Sequence, residues 1–394
     1  MSFDLLLVCM ALFLVQGLAA LPWLVAFSRQ SFREQLPYIG KVLGAVSLGG
    51  IVLAFLVAGN SAPGVVGIWG RFYASILILQ LAIDLLILTF YLGLTVWPKG
   101  SAVGLAAFQE AVRQPMFWLL TGAGSLTMGL AIVIPYFTFG EDLKMVKEIT
   151  YALTMLLPAV FGVISASISV SEEIEGRTAV TLLSKPVSRR EFLLGKFLGI
   201  TLAAAMMTAL MSWVLIWVVL AKTHYDFQPG VTVLPPDPAW LTDLIAKTYG
   251  PSISGELLRG VGLWVFDTSE ALPGITIGFG QVITLIAVSV AMATRMPMVV
   301  NITMCFVIYI LGHLAPIMTE VSQRLPLVYF FAQLFELLLP GLENFDVSPA
   351  IVRDVPLDPA RYALYTLHVA IYACTYTAIA MLAGLILFED RDVA

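Results

Sequence analysis

Apolar residues do not alternate with polar ones along this chain; they run in blocks broken by short polar links. Nine blocks come near or exceed the length at which a helix crosses a hydrocarbon layer of about 30 Å. Their limits are 4–27, 40–58, 72–97, 116–138, 149–170, 192–220, 273–294, 297–319 and 362–388. A helix satisfies its own backbone hydrogen bonds, so each block reads as a helical span. The first has only Asp4 ahead of its apolar run and is too long for a signal peptide, so it reads as a retained span.

Three stretches depart from this pattern. Residues 101–115 mix Val103, Leu105, Ala106, Phe108 and Val112 with Gln109, Glu110 and Arg113. That spacing predicts an amphipathic helix lying in the cytoplasmic interface, ended by Pro115; the alternative is a solvated connecting loop. Residues 222–272 carry Pro229, Pro235, Pro236 and Pro238, then a weak helical signal around residues 241–247, and read as a small outer cap. In residues 316–361, the run LPLVYFFAQLFELLLPG is bracketed by Pro326 and Pro340. It is too short to span and predicts a re-entrant outer helix, or a helix buried on its neighbours with no transport role.

Composition turns the pattern into a class. The chain is 59% hydrophobic and 12% charged, with a mean hydropathy of +0.93. Soluble domains hold about 25% charged residues. The expected fold is an all-α integral membrane protein. The net charge of -5 gives no nucleic-acid footprint. Lys and Arg set the orientation. With the N-terminus outside, Arg29, Arg33, Lys41, Lys99, Arg113, Arg177, Lys185, Arg189, Arg190, Lys196, Arg295 and Arg391 become cytoplasmic. The short outer loops then keep only Arg71, Lys144 and Lys147. The expectation is N-terminus outside, C-terminus cytoplasmic.

Candidate chemistry is sparse. Neither Gly-Lys pair, at Gly40-Lys41 or Gly195-Lys196, continues into the Ser or Thr of a nucleotide-binding P-loop. His224, His313 and His368 are scattered, and Cys9, Cys305 and Cys374 all lie in apolar runs, so no metal site or catalytic triad is read. Asp84, in the third block, is either an ion or proton site or a carboxyl hydrogen-bonded between helices. His368 reads as a packed, hydrogen-bonded histidine, with a ligand role as its alternative. Met206, Met207 and Met211 form a helical stripe that reads as packing. GKFLG (195–199) and GITIG (274–278) permit close helix contact but recur by chance.

The densest charge lies in residues 171–191. Glu172, Glu173 and Glu175 extend the fifth block, and Gly176 stops it. Thr178 to Leu183 forms a short helix ended before Pro186. Ser188 and Glu191 have capping-box spacing and start the sixth block. The plain alternative is an ordinary basic cytoplasmic loop.

This stretch resembles the cytoplasmic signature of type-2 ABC transporter permeases: an E-E-x-E-x-G-T run, a leucine pair, then P-[VI]-S-R-x-x-x-L-x-G-K. Glu172, Glu173, Glu175, Thr178, Leu182, Leu183, Pro186, Val187, Ser188, Arg189, Leu194, Gly195 and Lys196 match. The segment AAFQEAVRQPMFWLL resembles the family's interfacial elbow helix. The resemblance implies a six-span permease core over residues 98–394, preceded by a three-span bundle over 1–97 that matches no part of the pattern. Arg177 interrupts the usual Gly-Thr pair. The implied role is a non-catalytic transport subunit in the plasma (inner) membrane, paired with a second permease copy and exporting a substrate. ATP and magnesium belong to separate ATP-binding subunits. These would press on Glu172, Glu173, Glu175, Gly176, Arg177, Thr178, Leu182, Leu183, Pro186, Arg189 and Arg190. Two alternatives stand beside it. One is a membrane enzyme or assembly scaffold acting on lipid-linked material through His224, Asp226, Asp237 and Asp243. The other is an ion-coupled carrier built on Asp84.

Overall fold

The computed structural model describes residues 3–22, 32–59, 62–134, 141–175, 187–226, 236–321, 326–346 and 359–389. Among these residues there are helices and turns but no strand. In chain order the helices are α1 (Phe3–Ala19), α2 (Phe32–Gly59), α3 (Pro63–Val96), α4 (Pro98–Arg113), α5 (Pro115–Leu130) and α6 (Asp142–Ala166). They continue as α7 (Arg189–Tyr225), α8 (Ala239–Thr248), α9 (Ile253–Ala293), α10 (Met298–Val321), α11 (Pro326–Leu338) and α12 (Pro359–Glu389). A π turn, Ser167–Glu172, and a last helical turn, Glu173–Glu175, prolong α6.

Among the described residues, six helices are long and apolar enough to cross a membrane: Gly40–Gly59, Gly64–Val96, Asp142–Ser171, Arg189–Tyr225, Ile253–Ala293 and Ala360–Glu389. Phe3–Ala19 and Met298–Leu314 are shorter apolar helices. Large apolar side chains stay exposed along α12, among them Leu364, Leu367, Ile371, Ile379, Leu382 and Ile386. A stripe of that kind is stable against lipid, not water. The chain is an all-α, multi-pass membrane protein.

Contacts divide it into two units. The first comprises Met1–Leu92 and Asp226–Glu270. Residues 226–270 thus group with the N-terminal helices, and the outer segment contains more helix than a cap: α9 begins at Ile253 and continues past Pro273 without ending. Gly250, with φ 58°, turns the chain between α8 and α9 in a conformation that only glycine adopts easily. In this unit α1 and α2 pack around Leu5, Val8, Cys9, Leu53, Ala54 and Val57. Helices α3 and α9 touch at Gly67, Gly70 and Gly260; a side chain at Gly70 would meet the Leu257 carbonyl, and one at Gly260 the Gly67 carbonyl. Arg71 and Asp267 form an ion pair beside this crossing.

The second unit comprises Gly93–Tyr225 and Ala271–Ala394. Helix α7 runs through its middle, packed on α4, α5, α6 and α12. Phe117, Phe161, Phe192, Ile200, Met207 and Met211 fill the core, so the methionine stripe is packing. Cys305 is buried, whereas Cys374 is exposed.

Helix α4 is the predicted elbow, and it ends at Gln114, which turns extended (ψ 133°) ahead of Pro115. Within the protein it buries its smallest residues. Gly100, Ser101, Gly104, Ala107 and Ala111 are buried, while Val103, Leu105, Phe108 and Val112 are only half-buried. The small residues face α7. A Cβ on Gly195 would lie 2.6 Å from the Gly100 carbonyl oxygen, and one on Gly199 would strike the Gly104 carbonyl. GKFLG is therefore the seat of the elbow helix.

Adding one methyl group tests this seat. Gly199→Ala is expected to destabilise the protein by about 1–3 kcal/mol through overpacking. Gly122→Ala, where no atom lies within 4 Å, is expected to leave the thermal midpoint unchanged or raised. Equal midpoints for the two variants, measured in detergent, would rule out the seat.

Candidate coupling site

The second unit gathers polar side chains at one end of α6 and α7. The site starts with the π turn. Widened turns of this kind are rare and recur at functional positions. Here the π turn holds Ser167, Ser169 and Ser171 in buried positions. Ser167 donates to the Val163 carbonyl (2.8 Å) and accepts from Asn301 on α10 (2.9 Å). Asn301 also donates to the Ser289 carbonyl (3.0 Å). Ser171 donates to the carbonyls of Met296 (3.1 Å) and Ala293 (3.3 Å), in the turn between α9 and α10. The last turns of α6 are thereby tied to the α9–α10 hairpin.

Ser169 accepts from Lys196, the central residue of the site. Lys196 is about two turns into α7 and buried. An ammonium has three donors, and burial is tolerated only if they find acceptors. They find three: Glu173 Oε1 at 2.6 Å, Ser169 Oγ at 2.8 Å and Glu110 Oε2 at 3.5 Å. These acceptors come from the end of α6, its π turn and α4. One cation thus joins three helices. The Glu173 contact is the stronger, because Glu173 is 23% exposed and Glu110 47%, and the longer, wetter pair is screened by water.

The start of α7 is capped as its spacing predicts. The Ser188 N–H donates to Glu191 Oε2 (2.7 Å), and the Glu191 N–H donates to Ser188 Oγ (3.2 Å). The two arginines that follow turn toward the end of α12. Arg189 Nη1 donates to the carbonyls of Phe388 (2.9 Å) and Glu389 (2.8 Å), and its guanidinium lies 5.6 Å from the Phe388 ring. Arg190 pairs with the Glu389 carboxylate at 3.0 Å. Arg295 Nε reaches the Leu387 carbonyl at 2.8 Å. Three cations meet the end of a helix whose last carbonyls lack partners and whose dipole is negative there.

Residues 108–235 match the model of a family described as ABC-2 family transporter protein. The matched segment is similar to ABC-2 family transporter proteins and holds Lys196, Ser169 and both carboxylates, together with residues 171–191. Permeases of this family are membrane transport subunits. No curated protein matches the chain.

The predicted site residues fall into three sets. Glu173, Arg189 and Arg190 belong to the network just described. Glu172 and Glu175 lie on the helical backbone that prolongs α6, with their side chains outside the described residues, as are Gly176, Arg177, Thr178, Leu182, Leu183 and Pro186 altogether. Asp84 and His368 belong to neither. Asp84, half-buried in the first unit, lines an apolar groove of about 420 Å³ with Leu81, Leu85, Leu88 and Tyr91. His368 is exposed on α12, not packed, and its Nδ1 donates to the Leu364 carbonyl one turn back (2.8 Å). The sequence reading missed Glu110 and Ser169 and took Lys196 only as part of a signature. Its signal was present: a lysine inside an apolar block beside two glycines.

The network makes a quantitative claim. Lys196→Met removes the link between α4, α6 and α7, a loss of about 3–5 kcal/mol if the pair behaves as a buried one. A double-mutant cycle is expected to give a coupling energy above about 1 kcal/mol for Lys196 with Glu173 and below that for Lys196 with Glu110. Denaturation of the four variants in each cycle measures both; a larger value for Glu110 would overturn the ranking.

Proposed function

We propose that the chain is the membrane subunit of an ATP-driven exporter, and that a separate ATPase chain delivers its work at residues 171–191. Lys196 carries the reading. Within the matched segment it joins the helix entering that stretch, the helix leaving it and the elbow α4. A displacement of Glu173 would pull directly on all three. ATP can bias such a switch only through contacts that differ between its two states. Moving it from 1:99 to 99:1 takes about 5.5 kcal/mol.

In this reading the partner presses on the acidic triplet Glu172, Glu173 and Glu175 and on the residues from Gly176 to Pro186. Arg189 and Arg190 pass the motion to α12, whose end they hold. ATP and magnesium are bound by the ATPase, and a second permease copy completes the pathway. The distribution of Lys and Arg supports a plasma (inner) membrane protein with its N-terminus outside. Export follows from the resemblance of the signature. For the outer-face enzyme reading, Asp237 is already engaged by Arg259 in an ion pair.

Purification in mild detergent is expected to recover an ATP-binding chain with this one. Reversing both charges with Glu172→Lys and Glu173→Lys is expected to lower transport about tenfold, the effect of ~1.4 kcal/mol on the driven step. Membrane insertion should persist. Purification without any nucleotide-binding chain, or transport at the unmodified rate, would sink the proposal.

A further inference from the structure

Helix α8 (Ala239–Thr248) belongs to the first unit and takes no part in the coupling network. One of its faces is seated on α9. Leu241 is buried, and a Cβ added to Gly262 would strike its side chain. Ile245 lies against Gly255, where a Cβ would sit 3.3 Å from its Cγ2. Asp237, just ahead of the helix, pairs with Arg259, which also meets Glu256 at 3.2 Å. Two glycines about two turns apart and one ion pair therefore fix how α8 is rotated.

That rotation leaves another face uncovered. At about 100° per residue, Trp240, Leu244 and Lys247 fall within an arc of about 60°. Trp240 is 54% exposed and Leu244 58%, and Lys247 is exposed beside them. The opposite flank carries Thr242 and Ala246, both exposed and both small. Tryptophan and leucine one turn apart, next to a lysine, suit a helix in a lipid interface. The indole bridges oil and water, and the lysine stem follows apolar surface while its ammonium reaches a phosphate. The level of α8 agrees. Gly262 lies two residues from Gly260, which touches α3 at the Gly67 carbonyl, in the first turn of the apolar stretch Gly64–Val96. That stretch has 33 residues. Its length of about 50 Å exceeds the ~40–45 Å of a bilayer with its headgroups, so its first turn reaches a bilayer surface and α8 lies beside it. Exposed Ile68 on α3 and Val265 on α9 bring apolar surface up to the same level.

We propose that α8 docks on the phospholipid surface, with Trp240 and Leu244 at the boundary of the acyl chains and Lys247 against lipid phosphate. This part of the chain then rests on the membrane instead of standing in water as a cap. The docking needs neither an ATPase nor a cargo, so it is independent of the exporter reading.

Nitroxide spin labels on the two flanks test it. Leu244→Cys and Ala246→Cys are each made in the full chain with Cys374→Ser, because Cys374 is exposed while Cys9 and Cys305 are buried. The labelled proteins are placed in phosphatidylcholine liposomes. Collision of each label with oxygen, which dissolves in lipid, is compared with collision with a nickel chelate, which stays in water. The oxygen-to-nickel ratio is expected to be at least about fivefold higher at 244 than at 246, for a face about 5–10 Å below the headgroups. Should a label unsettle the fold, Trp240→Phe supplies a second measurement: it should lower the quenching of tryptophan emission by lipids brominated at the acyl-chain boundary. Equal ratios at 244 and 246, or unchanged quenching in Trp240→Phe, would overturn the proposal. So would a label at 244 shielded from both reagents and broadened by a label on another chain, because a second copy would then cover this face.

Discussion

A lysine ammonium buried among helices is the constraint around which the second unit is arranged. Left alone in an apolar setting, the charge of Lys196 would be untenable. It is kept by acceptors from three separate elements, so the positions of α4, the π turn and α7 cannot be chosen independently. The π turn follows from the same demand. It carries Ser169 to the ammonium while Ser167 and Ser171 remain tied to the α9–α10 hairpin. Glycines meet the demand from the other side. Gly195 and Gly199 let α7 come close to Gly100 and Gly104, which brings Glu110 within reach of Lys196. Close packing and charge pairing here are one arrangement seen from two faces.

What the chain revealed beforehand was whatever depends on neighbours in sequence. The Ser188–Glu191 cap, the break at Pro115 and the thirteen-residue helix Pro326–Leu338 each rest on local rules, and each is found. The start of α9 was hidden for a definite reason. Glu256, Arg259, Asp267 and Glu270 lower the hydropathy of its first turns, and hydropathy measures oiliness rather than helicity. Three of those charges are paired in the first unit: Arg259 with Glu256 and Asp237, and Asp267 with Arg71.

The candidate site was legible in part. Residues 171–191 announced themselves by charge, and the resemblance named their use. The partners of Lys196 did not, because Glu110 lies 86 positions away and Glu173 lies 23 away. No periodicity links positions so far apart. The contact of the elbow with α7 was equally unmarked, because a helix that must approach a glycine seat buries its smallest side chains against its neighbour. Arg189 and Arg190 read as cations facing a partner, because the Phe388 and Glu389 carbonyls that Arg189 meets and the Glu389 carboxylate that Arg190 meets lie about 200 positions away and leave no mark in sequence.

Those carbonyls have a bearing on how the chain tolerates change. Arg189 and Arg295 recognise the main chain of α12, not its side chains. Every amino acid presents the same carbonyl, so residue 387 is free to drift without loosening this grip, while the two arginines, and Glu389 as the carboxylate partner of Arg190, are not. The last helix is anchored largely by its path rather than its spelling, and the mutational burden of that anchorage falls on the start of α7 and the α9–α10 turn, which supply the cations.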